Sequence, residues 1–390
     1  MLFRSAGSAT EPEVIVPMSC ASPNGCIVLA GDPKQLGPVV VSKKAAEFGL
    51  EKSILVRLIE EVDRYKYKPN VGFDERYITR LDTCYRSDPR VMQLCNDLYY
   101  DSELKCLNES PALLLEALGV SGPVLFVNVA DGREQGDEMQ HEEGQFGSLS
   151  KRNRREVEVC TELAVWLAKF CYLGIITPYK LQAEKLKLAI MKTGIQAEED
   201  EKRRKRTEEV DERRRKEDER KWAEKYERLH ERLKNYREAR LDSEEEDEDD
   251  YSEPELSDDS ERWQESEDEA SEGGQIEEPE ERCKVETVDG FQGSEREAIV
   301  VSLVRTPMGE PTKQLSAGQL KFINDDQRFN VALSRAKWLT IVVGHKETAR
   351  ASRLWSKYLE RAQLLEWPDL EQIMKEKGAI QSLSNANGQP

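Results

Sequence analysis

The chain has 390 residues, 35% of them charged, with a mean hydropathy of -0.72. These values exclude a protein packed throughout into a single apolar core, so part of the chain should stay solvated. The net charge of -19 is concentrated: residues 242–282 hold 22 Asp and Glu against 2 Arg, and the remainder sets 55 acidic residues against 56 basic ones, leaving most of the chain able to accept a polyanion.

Residues 11–17 predict a short helix entry bounded by prolines. The compact apolar run 26–30 predicts a buried strand, ending in Gly31-Asp32-Pro33-Lys34-Gln35-Leu36-Gly37-Pro38. Two glycines and two prolines forbid a continuing helix or strand there. Asp32, Lys34 and Gln35 are therefore expected on a rigid loop at a strand's C-terminal end, the usual ligand position of an open parallel sheet; an ordinary polar turn is the alternative. Residues 42–62 read as a helix with Leu50, Ile54, Leu58 and Ile59 on one face, and 78–81 as a short strand. Ser87 or Asp88 can cap the helix that follows to about Tyr99, with Pro89 in its first turn. Arg86 is then held just before a helix start, where a guanidinium can reach a phosphate; a surface charge is the alternative.

Residues 124–129 predict another buried strand, 132–150 a polar loop, and 154–171 an amphipathic helix. A strand at 173–176 runs into Thr177-Pro178-Tyr179-Lys180, and a helix follows over 181–191. This alternation supports an α/β fold with a parallel sheet. The composition then breaks. Residues 201–240 carry 17 basic and 12 acidic side chains, spaced for i,i+4 pairs on a solvated helix. Sustained a/d heptads are missing, which favours a single charged helix over a coiled coil. Residues 242–282 are acidic, Ser-rich and low in complexity and read as disordered. The whole excursion, 195–282, is expected to be an insertion hung on a compact domain.

The sheet resumes at 284–288 and 298–304, around the turn Asp289-Gly290-Phe291-Gln292-Gly293-Ser294-Glu295. Asp-Gly between apolar runs is also a hairpin signal. Residues 325–337 predict a helix in which Arg328 and Arg335, seven apart, share a face. A last strand at 338–344 and a helix from 347 to about 363 close the fold, and a loose tail is expected after Gly378. Eight cysteines without a C-x-x-C pair and three scattered histidines, His141, His230 and His345, spell out no zinc site. They read as reduced, mostly buried thiols of a soluble cytoplasmic or nuclear protein. No apolar run nears the roughly 18–20 residues of a membrane span.

Taken together, these loops resemble the motifs of superfamily 1B helicases. Residues 31–38 are similar to motif III, Tyr85-Arg86 to motif IV, 174–179 to the I-T-P-Y segment that contacts nucleic acid, 285–297 to motif V and 328–336 to motif VI. Five motifs in the right order are specific where any one would be weak. Residues 10–13, 29–40, 96–100 and 103–104 look nearest to the Armitage-type RNA helicases of RNA silencing, with the up-frameshift and senataxin helicases as relatives.

The resemblance implies a RecA-like parallel sheet flanked by helices, the second helicase domain of a P-loop NTPase, with a long charged helical and disordered insertion. It divides the chain into a remnant of a first RecA-like domain (1–75), a second RecA-like domain in two parts (76–194 and 283–365), a charged helix (195–241), an acidic disordered segment (242–282) and a C-terminal tail (366–390). It implies ATP and Mg²⁺ as cofactors, and RNA, single-stranded or duplex with an overhang, as substrate. Gln35 would sense the γ-phosphate, and Arg86 and Arg335 would act as arginine fingers. Asp32 would order Mg²⁺ or Arg335, Gly293 and Glu295 would contact the nucleotide, and Thr177, Pro178 and Thr287 would touch the RNA backbone.

The departures bear on activity. The chain contains no G-x-x-x-x-G-K-S/T loop, and where the family carries Asp-Glu-Ala-Gly-Gln this sequence has Arg4-Ser5-Ala6-Gly7-Ser8. It reads as the C-terminal half of a helicase, without the carboxylates that hold the metal and activate water. An inactive RecA-like module that binds RNA or a partner protein, with the insertion as a regulatory arm, is the alternative. If the acidic run folds over the RNA groove, deleting 242–282 should tighten RNA binding and steepen its salt dependence; unchanged affinity at low salt would reject this.

Overall fold

The computed structural model describes residues 2–3, 6–22, 24–136, 150–195, 281–307 and 320–386, together with scattered helical positions between 210 and 234. The expected disordered segment at 242–282 lies almost wholly outside the described residues. Residues 1–195 and 282–390 form one compact unit and 196–281 a second. In the second unit the described positions between 210 and 234 are helical and carry i,i+4 ion pairs, among them Glu212–Lys216 at 2.7 Å and Glu217–Lys221 at 3.2 Å.

The first unit opens with strand β1 (Leu2–Phe3), helix α1 (Glu11–Met18) and strand β2 (Val28–Leu29). Glu13 closes the start of α1 by accepting from both the Thr10 amide and its hydroxyl, each at 2.7 Å, and these bonds hold its carboxyl below the usual range. The run 26–30 is not the buried strand its composition predicts. Only β2 forms, paired with β1, and Val28 is 49% exposed. The expected helix over 42–62 is two helices, α2 (Lys43–Glu47) and α3 (Ile54–Glu61). Gly49 turns the chain at φ 89°, and Ser42 and Ser53 each cap a new start.

No strand forms at 78–81. The pairing falls later, between β3 (Thr83–Cys84) and β4 (Lys105–Cys106), on either side of α4 (Pro89–Tyr99). Asp88 is the cap of α4, accepting from the Arg90 amide at 2.8 Å. Burial opposes its ionisation, but bonds from Arg90 and Ser110 prevail and bring it down to about 2. Helix α5 (Ala112–Leu118), not anticipated from the sequence, ends in Gly119 at φ 67°.

The main sheet has six parallel strands in the order β12-β5-β11-β10-β8-β9: β5 (Val124–Asn128), β8 (Leu173–Thr177), β9 (Cys283–Thr287), β10 (Arg296–Ser302), β11 (Ala336–Gly344) and β12 (Gln363–Glu366). A small antiparallel pair joins β6 (Glu134–Gly136), inside the expected loop, to β7 (Lys151–Asn153), just after it. Alternate residues feed two cores. Val300 and Ile341 pack with α6 (Arg154–Leu167) and α7 (Lys180–Thr193), while Ile299 and Val342 pack with α4 and α8 (Asp326–Leu333).

The end of the chain departs from expectation. The helix predicted to about 363 is two short ones, α9 (Lys346–Ala351) and α10 (Trp355–Leu359), followed by the edge strand β12. The expected tail after 365 is α11 (Trp367–Ala386), which buries Trp367, Leu370 and Met374 in the first core.

Strands β9 and β10 are not a hairpin. They flank β8 on opposite sides and both run parallel to it, so residues 288–295 must pass back across β8. They do so on Phe291, fully buried against Gly174. A Cβ at Gly174 would lie 2.4 Å from the Phe291 ring, which is why glycine stands within this strand.

Candidate functional site

The N-terminal ends of β10 and β11 gather most of the expected side chains. Glu295 precedes β10 and Arg335 precedes β11, and the Arg296 amide donates to the Arg335 carbonyl at 3.1 Å. The start of α4 docks on the same edge, because Ser87 Oγ donates to the Ala336 carbonyl at 2.7 Å and the Asp88 amide to that of Lys337 at 2.8 Å. Arg86 is thereby set against Glu295, with which its Nε makes an ion pair. Lys337 meets the other Glu295 oxygen at 3.2 Å. Burial works against the Glu295 charge, yet Arg86 and Lys337 keep its carboxyl below the ordinary value.

The loop 31–38 docks beside them. Asp32 accepts from the Lys34 amide at 2.9 Å, from Gln35 Nε2 at 2.8 Å and from the Tyr100 hydroxyl at 2.7 Å. Gln35 Oε1 in turn accepts from Arg335 Nη2 at 2.8 Å. Asn330 Nδ2 donates to the Lys34 carbonyl at 3.0 Å and to the Tyr100 hydroxyl at 2.8 Å. Hydrogen bonds thus link Asp32 to Arg335 through Gln35. Tyr100 and Asn330 were not singled out from the sequence, although both lie inside stretches that resemble family motifs; nothing local distinguishes a docking hydroxyl or amide from a packed one.

Arg335 is buried, and its helix assignment needs correction. Helix α8 ends at Leu333, so Arg335 sits on the turn into β11 and shares no helical face with Arg328. Arg328 instead pairs with Asp289 and Asp325, both at 3.2 Å, and lies over the Phe322 ring. Burial, reinforced by the nearby charge of Arg86, brings the Arg335 guanidinium down to about 10. A desolvated cation facing a second one is a setting that an anion would stabilise.

The other expected contacts lie at the opposite edge of the sheet. Thr177 and Thr287 are register partners at the C-terminal ends of β8 and β9. By the rise of about 3.3 Å per residue, this edge is roughly 20 Å from Glu295, so one motif spans both edges rather than joining them at one strand end. Thr177 is fully buried, and its hydroxyl lies 3.5 Å from the Tyr179 amide. Pro178 and Thr287 remain half-exposed, and Thr287 Oγ1 accepts from the Gly290 amide at 3.2 Å. Gly293 takes φ 82° with open space around it, so backbone conformation and not crowding selects glycine there.

One buried network escaped the sequence reading. Glu156 Oε2 accepts from Ser302 Oγ at 2.7 Å and from the Val304 amide at 2.8 Å, and Oε1 accepts from Asn153 Nδ2 at 3.0 Å. Gln182 Nε2 donates to Ser302 Oγ at 2.9 Å. The network holds Val304 at φ 69°, a strained conformation for a β-branched residue. Burial, against the pull of these bonds, pushes the Glu156 carboxyl up to about 7.

Among the described residues no group of three or more His, Cys, Asp or Glu could hold a metal, and no helix is long and apolar enough to cross a membrane. Residues 50–219 and 255–347 match an AAA domain family, and 5–43 match a second AAA domain family. The chain is 29% identical to the putative helicase mov-10-B.1 of Danio rerio over 91% of its own length and 28% of that protein's. It is 28% identical to the probable RNA helicase armi of Drosophila melanogaster over 50% of its length and 18% of armi. It is 24% identical to the probable helicase senataxin of Homo sapiens over 93% of its length and 10% of senataxin. The chain therefore spans well under a third of each of these relatives.

Proposed function

Because the chain belongs to the up-frameshift-like family of superfamily 1 RNA helicases, built on the AAA domain, we propose that it supplies one wall of an ATP-dependent site that unwinds RNA or remodels RNA–protein particles, in RNA silencing or RNA decay. The observation that carries this reading is the contact of Gln35 with Arg335 at 2.8 Å, which links the 31–38 loop to the edge holding Arg86 and Glu295. Gln35 would read the terminal phosphate. Arg335 and Arg86 would neutralise charge on the transferring phosphoryl group. Glu295, next to Gly293, would face the nucleotide sugar. A triphosphate would compete with Glu295 for Arg86, so nucleotide arrival and release of that ion pair would be coupled. ATP, when bound, supplies the phosphoryl group whose transfer drives the cycle. The anion-seeking pair of arginines fits it, whereas the described residues offer no carboxylate set that fits Mg²⁺. Pro178 and Thr287, at the far edge, would follow the RNA backbone.

For this chain by itself we propose binding without turnover, since its residues include no phosphate-binding G-x-x-x-x-G-K-S/T loop and carry Arg4-Ser5 where the family has Asp-Glu. Phosphate release by the purified chain with saturating single-stranded RNA is expected to stay at background. Robust turnover that Arg335→Ala abolishes would overturn this. Fluorescence anisotropy with the same RNA should show binding that weakens steeply as salt rises; salt-independent binding would remove the backbone-tracking part of the reading.

A further inference from the structure

Cys84 and Cys106 occupy a position that none of the motif roles uses. They are direct register partners on the parallel strands β3 and β4, so their side chains leave the same face of the pair. Neighbouring strands lie about 4.8 Å apart, inside the roughly 4.4–6.8 Å between Cα atoms that a disulfide spans. The Cys84 sulfur is close enough to push the Cys106 thiol upward, and both side chains are half-buried, in contrast to the buried Cys95, Cys160, Cys171 and Cys283. Arg86 lies just beyond the end of β3. Cys84 stands two residues before it, and Asn108, two residues after Cys106, donates to the Arg86 carbonyl at 2.6 Å.

We propose that Cys84 and Cys106 form a reversible disulfide that clamps β3 to β4 and stiffens the turn presenting Arg86. The oxidant is a low-molecular-weight disulfide. The Cys84 sulfur, after losing its proton, attacks one sulfur of that molecule and expels the other half as a thiol. The Cys106 sulfur then loses its proton, attacks Cys84 and releases the second thiol. Two protein thiols become one disulfide, one small disulfide becomes two thiols, and the protons balance. Burial first, and then the Cys84 sulfur beside it, push the Cys106 thiol up to about 12, so loss of its proton limits the step that Cys106 takes; the exchange balances whichever sulfur attacks first.

The test treats the purified full chain with oxidised glutathione and maps linkages by mass spectrometry after thiol blocking. A Cys84–Cys106 linkage with loss of two hydrogens is expected, reversed by dithiothreitol and absent from Cys84→Ser and from Cys106→Ser. In amide hydrogen exchange the Leu107 amide, which donates to the Cys84 carbonyl at 3.0 Å, should slow about tenfold in the oxidised protein and recover on reduction. Glutathione found only as mixed adducts, for instance on the exposed Cys20 and Cys26, would overturn the proposal. So would a linkage that leaves Leu107 exchange unchanged. Neither readout depends on nucleotide or RNA, so failure of the helicase reading would leave this result standing and the reverse also holds.

Discussion

Phe291→Ala is expected to destabilise the first unit by about 3–5 kcal/mol, the range for deleting a buried aromatic ring, read as a drop in the urea midpoint at unchanged slope. Phe291 is fully enclosed, and its ring occupies the space left by the missing Cβ of Gly174. The converse change, Gly174→Ala, should cost about 1–3 kcal/mol by overpacking, because its Cβ would lie 2.4 Å from the Phe291 ring and 2.8 Å from Ile299 Cδ1. The two effects share one volume and so cannot add. In the Phe291→Ala background, Gly174→Ala should lose less than about 1 kcal/mol. Additive losses would show that the crossing of β8 by residues 288–295 does not rest on this contact. The connection also sets function, since it carries the chain from Thr287 at one edge of the sheet to Glu295 at the other.

The second large effect is a pH dependence centred on Glu156. Its carboxyl is raised in the folded chain from 4.5 to about 7, chiefly by burial. A raised carboxyl favours the protonated folded form, so its contribution to stability is fully present below pH 4.5 and is lost as pH rises through 7. The shift corresponds to about 3 kcal/mol. Cys160, close by, stays protonated throughout, because burial and the Glu156 charge both push its thiol upward. Glu156→Gln removes the titration. The stability advantage of the wild type over this variant should therefore shrink by about 3 kcal/mol from the acid end of that window to its basic end. A difference that stays flat with pH would sink the assignment. The same variant should loosen residues 302–306, because glutamine has one acceptor oxygen where both Glu156 oxygens accept bonds, and the strained turn loses part of its anchor.

Much of the fold was legible from local patterns. Val124–Asn128, Leu173–Thr177, Arg296–Ser302 and Ala336–Gly344 are strands where apolar runs of strand length predict them, because a strand covered on both faces needs such a run whatever its neighbours are. A cap at Ser87 or Asp88 was likewise visible before the proline, and Asp88 fills it. Local patterns failed where a glycine or a packing partner decides the outcome. The helical spacing over 42–62 continues straight through Gly49, yet the chain turns there. Arg328 and Arg335 look like one helical face, but α8 stops at Leu333 because the next residues are needed to enter β11. The stretch 366–390 reads only as a C-terminal tail, and only its contact with the first core reveals that Trp367, Leu370 and Met374 cover that core.

The sequence by itself determined the parallel α/β class and the order in which Gln35, Arg86, Glu295 and Arg335 follow one another, since each depends on residue type and order along the chain. Tertiary structure alone decided that these four meet at the N-terminal edge of β10 and β11, that Thr177 is sealed and Thr287 is not, and that Cys84 faces Cys106. Those facts depend on which strands become neighbours and in which register. Pairing energy comes from contacts between residues far apart in the chain, and no local pattern records it.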